Sequence, residues 1–210
     1  MRIILAGASG LVGGFVARQA DPAALTCVTR RKVEGLDAQI SQLVAPIDQW
    51  SAHVAAAKPA VAIAALGTTI RAAGSKAAFS AVDLDLVRDF AAAAREAGAR
   101  QFMLVTSVGA SAEAANFYLS VKGKAEAAVQ ALGYDRVDIF RPGLLRGDRA
   151  EQRTGESIAM MISPFTDLLT PPMFDKYRSI AASQVASAIV RLIGAKEVGV
   201  FIHHNREMMV

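Results

Sequence analysis

The sequence has little cysteine, few aromatic residues and few histidines. Cys27 is the single cysteine among 210 residues, which excludes an intrachain disulfide and predicts a reducing, cytoplasmic location. Aromatic residues make up 6% of the chain, and no Lys/Arg cluster is interleaved with them, so we expect no nucleic-acid partner. His53, His203 and His204 have no partners at metal-ligand spacing, so no metal site is expected.

Long apolar runs and strong net charge are missing as well. No stretch after the first reaches the roughly 18 apolar residues of a membrane span, so we expect no membrane partner. Arg2 and the apolar residues after it could suggest a signal peptide, but the spaced glycines within residues 1–17 argue against one. With 53% hydrophobic residues, 20% charged residues and a net charge of +4, the chain is typical of one globular domain spanning residues 1–210.

Apolar runs of strand length alternate with helical stretches along the chain. The runs predict strands at residues 3–6, 25–29, 39–44, 61–66, 101–106, 136–140 and 198–202. Helices are predicted at residues 15–19, 50–58, 75–97, 116–132 and 183–193. Continuous apolar strands between helices indicate an α/β fold with a parallel sheet covered on both faces. The pattern loosens over residues 144–178, which we interpret as a small cap that shapes a substrate pocket.

The first apolar run ends in three evenly spaced glycines, Gly7, Gly10 and Gly13, before the helix predicted from Phe15. Glycines there permit a tight turn, a close approach of ligand to backbone and close packing of helix on strand. The free N–H groups of a helix start attract phosphate. A glycine-rich turn that binds nothing is the alternative, but the position directly after the first strand favours a nucleotide pyrophosphate.

Basic residues follow the second predicted strand. Thr29 ends the strand, Arg30 and Arg31 come next, and the first acidic residue is Glu34. In dinucleotide-binding folds an acidic residue at this place holds the ribose hydroxyls, whereas an arginine accommodates a 2′-phosphate. The pattern predicts NADP(H) rather than NAD(H). A solvated basic turn is the alternative interpretation.

A serine, a tyrosine and a lysine form a second candidate group. Tyr118 and Lys122 are four residues apart on a predicted helix and therefore share a face. An ammonium beside a phenol favours the phenolate and makes proton exchange easier near neutral pH. Ser107 follows the fifth predicted strand, at the edge of the sheet where ligands of open α/β folds bind. The three side chains could converge on a carbonyl oxygen.

Together these motifs resemble the short-chain dehydrogenase/reductases, and the glycine spacing resembles their extended and atypical branches. The segments 65–75, 116–123 and 141–145 resemble the Tat-interacting-protein-like atypical subgroup, and the resemblance covers nearly the whole chain. It implies a Rossmann-like, doubly wound parallel sheet that binds NADPH, with helices on both faces and a small C-terminal cap.

The resemblance also implies roles for single residues. It places Ser107, Tyr118 and Lys122 in the catalytic positions, Gly67 and Thr68 along the cofactor, and residues 141–143 near the nicotinamide. The residues that we predict to bind the cofactor are Gly7, Ser9, Gly10, Leu11, Val12, Gly13, Thr29, Arg30, Arg31, Leu66, Gly67, Thr68, Thr106, Tyr118, Lys122, Arg141, Pro142 and Gly143.

Three functions remain open from the sequence. The first is an NADP(H)-dependent oxidoreductase acting on a small carbonyl substrate, with a homodimer as the expected assembly. The second is an NADPH-binding sensor or regulator with little turnover, and the third a nucleotide-sugar epimerase. Two departures from the extended branch speak against a sugar nucleotide: only about 70 residues follow Arg141, and Asp83 stands where an Asn is often found.

Overall fold

The computed structural model describes residues 1–147 and 178–209, so most of the predicted cap lies outside the described residues. Its centre is a seven-stranded sheet of order β3-β2-β1-β4-β5-β6-β9, in which every neighbouring pair is parallel. The strands of this sheet are β1 (Ile3–Ala6), β2 (Leu25–Thr29), β3 (Ser41–Val44), β4 (Val61–Ala64), β5 (Gln101–Val105), β6 (Arg136–Phe140) and β9 (Gly199–His203). The strand order reverses between β1 and β4, which is where ligands bind in such sheets.

Helices cover both faces of the sheet. They are α1 (Leu11–Gln19), α2 (Trp50–Ala57), α3 (Ile70–Ala73), α4 (Lys76–Ser80), α5 (Leu86–Glu96), α6 (Phe117–Gln130), α7 (Ala182–Leu192) and α8 (Asn205–Met208). A 3₁₀ turn, Ile47–Gln49, precedes α2, and a π-helical turn, Ala81–Asp85, joins α4 to α5. One apolar core lies between the sheet and α1 and α7, the other between the sheet and α2, α5 and α6. The predicted doubly wound fold is confirmed.

Element boundaries differ from the sequence prediction in a few places. Helix α1 begins at Leu11 rather than Phe15, because Gly13 and Gly14 are buried in it and this packing outweighs their low helix propensity. The single helix predicted over 75–97 is divided by the π-helical turn. β3 begins two residues later than predicted, and α7 and β9 are displaced by one residue, which is an ordinary uncertainty at element ends.

Two short strands flank the part of the chain that is not described. β7 (Leu145–Arg146) pairs in parallel with β8 (Ile180–Ala181) in a second sheet, although the sequence pattern suggested only irregular structure there. Asn205, 1% exposed, fixes the same two chain ends. Its Oδ1 accepts the Gly143 N–H at 3.0 Å, and its Nδ2 donates to the Arg178 carbonyl at 2.7 Å. Gly143 and Arg178 are therefore held together by one side chain.

A buried polar network joins β5, β6 and β9. The fully buried Asp138 carboxylate accepts from Arg136 Nε at 2.7 Å and from Gln101 Nε2 at 2.8 Å, and His203 Nε2 lies 2.9 Å from its Oδ1. Burial alone would raise the pKa of the Asp138 carboxyl, but the hydrogen bonds from His203, Arg136 and Gln101 hold that pKa below its ordinary value. The carboxylate is therefore more acidic in the folded chain than in the unfolded one.

This network predicts how the free energy of unfolding depends on pH. Because the folded pKa of Asp138 is the lower one, its contribution is complete above the ordinary value of 3.8 and is lost as pH falls through the folded value. We expect Asp138→Asn to lower the free energy of unfolding at pH 7 by about 3 kcal/mol and to flatten its decline below about pH 4. Urea titrations between pH 3 and 8 measure both, with the exposed Asp48→Asn as control. Parallel pH curves for wild type and Asp138→Asn would contradict the assignment.

Candidate active site

The carboxyl ends of the parallel strands bring most of the predicted site segments to one edge of the sheet. The turn after β1 meets the loop after β4, because the Ala65 N–H donates to the Ala6 carbonyl at 2.9 Å. The chains after β5 and β6 run side by side, since the Val108 N–H donates to the Pro142 carbonyl at 2.9 Å. The predicted glycine turn, the Gly67 loop, Ser107 and residues 141–143 therefore share this edge.

The glycine turn after β1 leaves no room for side chains. Gly7 has a φ of +101°, and a Cβ there would lie 2.4 Å from the Ala65 carbonyl oxygen. A Cβ on Gly13 would lie 2.1 Å from the Gly7 carbonyl oxygen, and one on Gly10 3.2 Å from the same atom. Helix α1 can approach β1 this closely only because Gly13 in its first turn has no side chain.

The N-terminus of α1 has the properties of an anion site. Gly10 is its N-cap, with extended backbone, and no side chain of the described residues caps it. Its first turn carries no acidic residue, while Ser9 and Gly10 are exposed and Leu11 is half-buried. Val12 is buried in the core instead. Uncapped N–H groups at a helix start favour an anion, so this turn fits a pyrophosphate.

The end of β2 carries a polar atom that the protein does not satisfy. Thr29 is 5% exposed, and its Oγ1 is buried without a hydrogen-bond partner within residues 1–147 and 178–209. Such buried hydroxyls are rare in folded proteins. Arg30 and Arg31 follow at the surface. A hydroxyl at this carboxyl end, with two cations after it, fits the ribose end of a dinucleotide.

The lysine of the predicted catalytic group is held inside the protein. Lys122 is 5% exposed, and its Nζ lies 2.7 Å from Asp83 Oδ1 in an ion pair. The other oxygen of Asp83 accepts the Thr68 N–H at 2.9 Å. A Cβ on Gly67 would lie 3.6 Å from both Asp83 Oδ1 and Lys122 Nζ. The structure thus brings Lys122 together with the Gly67–Thr68 loop, while Leu66 beside it is half-buried.

Tyr118 and Ser107 occupy half-buried positions at the same edge. Tyr118 lies one turn before Lys122 on α6, and its ring packs 5.6 Å from the ring of the buried Phe79 on α4. Ser107 Oγ donates a long hydrogen bond, 3.4 Å, to the Val108 carbonyl. The loop that Ser107 opens is held on α6, because the Ser111 N–H donates to the Leu119 carbonyl at 3.3 Å.

Two predicted cofactor residues use their side chains within the protein. The Arg141 guanidinium donates to Glu126 Oε1 at 3.0 Å, and the Thr106 hydroxyl donates to the same oxygen at 2.6 Å. Glu126 is 2% exposed. Pro142 is buried, and the Gly143 N–H is bound by Asn205. These contacts join α6 to the ends of β5 and β6 and hold the backbone beneath the site in place.

Sequence reasoning missed two carboxylates that organise this region. Glu126 lies four residues after Lys122 and eight after Tyr118, so continuing that helix face by one turn would have found it. Asp83 was noticed as a departure but not as a partner of Lys122. A lone carboxylate within the stretch Ala81-Val82-Asp83-Leu84 implies a buried cation, but local sequence does not say which one.

Comparison with known sequences identifies the family. A protein fmp52, mitochondrial, of Emericella nidulans is 34% identical to this chain over 168 residues, which are 75% of this chain and 72% of that protein. The chain belongs to the FMP52 family of atypical short-chain dehydrogenase/reductases. The FMP52 protein of Meyerozyma guilliermondii is 38% identical over 158 residues, 71% of this chain and 67% of that one. Protein HTATIP2 of Rattus norvegicus is 44% identical over 99 residues, 47% of this chain and 40% of its own. No family model matches the chain.

Solved structures share the fold. MoeE5, in complex with UDP-glucose and NAD, superposes with a TM-score of 0.73 at 11% identity and covers 96% of this chain and 75% of its own. The dTDP-4-dehydrorhamnose reductase of Bacillus anthracis, in complex with NADP, superposes with a TM-score of 0.67 at 17% identity and covers 97% and 74%. These similarities confirm the Rossmann-like architecture of this FMP52-family chain.

The family corrects the expected location. The FMP52 relatives of Emericella nidulans, Coccidioides immitis and Candida albicans carry the word mitochondrial in their names, so the cytoplasmic prediction is wrong. The prediction failed because one buried cysteine, Cys27, fits any reducing compartment. Among the helices of the described residues, none combines the length and the apolar character that a membrane crossing needs.

Proposed function

We propose that this FMP52-family protein is an NADP(H)-dependent oxidoreductase that reduces a small carbonyl substrate. The observation that carries the proposal is the buried Lys122 ammonium beside the Gly67–Thr68 loop, on the same helix face as Tyr118. The glycine turn and the unsatisfied Thr29 hydroxyl support a dinucleotide along the same edge. A protein that only binds NADPH has no physical need for a tyrosine and a lysine on one helix face.

In this proposal Tyr118, Ser107 and Lys122 have different roles. Tyr118 donates a proton to the carbonyl oxygen, Ser107 orients that oxygen, and Lys122 holds the ribose and stabilises the phenolate that remains. The nicotinamide supplies the hydride when it is bound. Backbone groups of Gly7, Gly10 and Gly13 bind the pyrophosphate.

The experiment is a substrate panel with NADPH consumption as the signal. We would test aldehydes, ketones and quinones, with UDP-glucose in a separate epimerase arm whose sugar product is identified directly, because epimerisation consumes no net NADPH. Turnover of a carbonyl compound supports the proposal. Tight NADPH binding without any turnover favours the sensor, and conversion of UDP-glucose favours the epimerase.

The choice of NADP(H) rests on Arg30 and Arg31. Replacing both by Ala should weaken NADPH binding about 10- to 100-fold, because a charge-assisted hydrogen bond contributes about 1.5–3 kcal/mol. NADH, which lacks the 2′-phosphate, should bind almost unchanged. Fluorescence titration with both cofactors measures this, with Arg18→Ala at the far end of α1 as the charge control. Equal wild-type affinities, or tighter NADH, would refute the NADP(H) assignment.

The proposal also covers the oligomeric state of the protein, the role of residues 144–178 and the location of the protein in the cell. We propose a homodimer, which the exposed Val200 and Ile202 on the edge strand β9 support. We propose that residues 144–178 shape the substrate pocket, since a Cβ on Gly147 would lie 3.0 Å from Leu11 at the start of α1. We also propose that the chain shares the mitochondrial location that its relatives' names state.

A further inference from the structure

Asp83 is a carboxylate in the interior of the protein, 1% exposed, at a point where it meets two parts of the site. Its Oδ1 lies 2.7 Å from Lys122 Nζ in an ion pair, and its Oδ2 accepts from the Thr68 N–H at 2.9 Å. The carboxylate thus joins the buried lysine to the backbone of the Gly67–Thr68 loop.

The backbone that carries Asp83 is irregular. It lies in the π-helical turn Ala81–Asp85 between α4 and α5, and single π turns are frequent at functional sites. The turn packs against α4, α5 and α6. An unbroken α-helix rotates by about 100° per residue, more than a π-helical turn does, so it would rotate Asp83 away from Lys122 relative to one of its two flanking helices.

The other charged groups of the packed elements are engaged elsewhere. Arg88 of α5 pairs with the half-buried Asp85 and the exposed Asp89, and Lys76 of α4 lies over the Phe117 ring at 5.1 Å. On α6, Glu126 binds Arg141 and Thr106, and Lys124 is exposed. Lys122, one turn after Tyr118 on α6, and Asp83 form an ion pair that carries no net charge.

A charge near a phenol changes how strongly the phenol holds its proton. A lone ammonium one turn away would stabilise the phenolate and release the proton at lower pH. A carboxylate paired with that ammonium offsets part of this effect, because in a weakly screened interior both charges act on the phenol. An amide at position 83 could accept the Thr68 N–H equally well but would leave the ammonium uncompensated.

We propose that Asp83 is a positioning residue that compensates the charge of Lys122, so that Tyr118 remains a proton donor to a higher pH than Lys122 alone would allow. This rests on the proposed function. One reduction adds a hydride from NADPH to the carbonyl carbon and the Tyr118 proton to the oxygen. The products are an alcohol and NADP⁺, and water reprotonates the phenolate.

The test compares Asp83→Asn with Asp85→Asn, a matched loss of one carboxylate in the same π-helical turn but at the surface. In wild type and both variants, kcat/KM for carbonyl reduction is measured against pH. The alkaline decline should move to lower pH by about one unit in Asp83→Asn and stay in place in Asp85→Asn. NADPH affinity near pH 7 should change little.

A second readout needs neither cofactor nor substrate. Tyrosinate absorbance of the apoprotein is titrated, and the component that Tyr118→Phe removes is assigned to Tyr118. Burial raises the pKa of Tyr134, which keeps its signal apart. The Tyr118 component should move to lower pH by a similar amount in Asp83→Asn.

Each outcome of these measurements either supports or overturns the inference about Asp83. If Asp83→Asn lowers kcat but shifts neither the pH profile of kcat/KM nor the tyrosinate absorbance titration, Asp83 has only a structural role and the inference is overturned. Asp83→Ser is a second neutral variant, and failure of both to fold also counts against it. If wild type turns over no substrate, the proposed function fails, while the absorbance titration still tests the Asp83–Lys122 effect.

Discussion

Replacing Tyr118 by Phe should cut turnover of a true carbonyl substrate by about 10²–10⁴-fold, the range that general acid catalysis contributes. The substitution removes one hydroxyl and keeps the ring that packs on Phe79 at 5.6 Å. NADPH affinity should barely change, because the proposed pyrophosphate and 2′-phosphate contacts lie on the turns after β1 and β2, and the proposed ribose contact on α6 is made by Lys122. Steady-state rates and fluorescence titration measure the two effects separately.

A matched tyrosine provides the control. Tyr134→Phe also removes a hydroxyl, one that donates to the Ala91 carbonyl at 2.6 Å in the core between the sheet and α2, α5 and α6. It should lower the free energy of unfolding by about 1 kcal/mol and leave turnover unchanged. Lys122→Ala should impair both turnover and NADPH binding. Full activity of Tyr118→Phe on a genuine substrate would exclude the reductase mechanism.

Gly13→Ala should destroy the cofactor site. The new methyl group would lie 2.1 Å from the Gly7 carbonyl oxygen, a backbone atom that cannot turn aside. Helix α1 must then move away from β1. We expect the free energy of unfolding to fall by about 3 kcal/mol and NADPH binding to weaken by more than about 100-fold, since the N–H groups of α1 lose their position.

The variant Gly14→Ala is the control that separates the steric clash at Gly13 from any general effect of replacing glycine by alanine. In Gly14→Ala the methyl would lie 3.3 Å from the Ala8 carbonyl oxygen, which a small adjustment relieves, and alanine favours the helix by up to about 1 kcal/mol. We expect stability and NADPH affinity near wild type. Urea titrations and NADPH fluorescence measure both variants, and similar losses in the two would show that the glycine spacing has no special role.

The fold was predictable because its signals are local and repeated. Each buried parallel strand is a short apolar run, and Gly98 and Gly133 follow α5 and α6 at positive φ, where helices commonly end with glycine. The glycine spacing after β1 predicted the close helix-to-strand contact. Prediction from local helix propensity failed at the start of α1. Gly13 and Gly14 are helical there because their burial against the glycine turn outweighs their low helix propensity.

The site was only partly predictable, because charge pairing depends on distant parts of the chain. Tyr118 and Lys122 share a helix face by their spacing alone. The partner of Lys122 is 39 positions away in sequence and reaches it through a π-helical turn, for which the alanine-rich sequence has no clear signal. In the same way, Arg141 was expected at the cofactor, yet its guanidinium is bound by Glu126, which only the fold brings near.

Asn205 holds Gly143 and Arg178 together through two hydrogen bonds. The number of residues between positions 147 and 178 can therefore change during evolution at a small cost in folding free energy. Loop-closure entropy grows only with the logarithm of loop length, so doubling an insertion costs about 0.6 kcal/mol once its ends are held. Here one buried amide and the β7–β8 pair hold those ends at the rim of the proposed pocket. An insertion or deletion between these ends would therefore leave the seven-stranded sheet and the glycine turn after β1 in place.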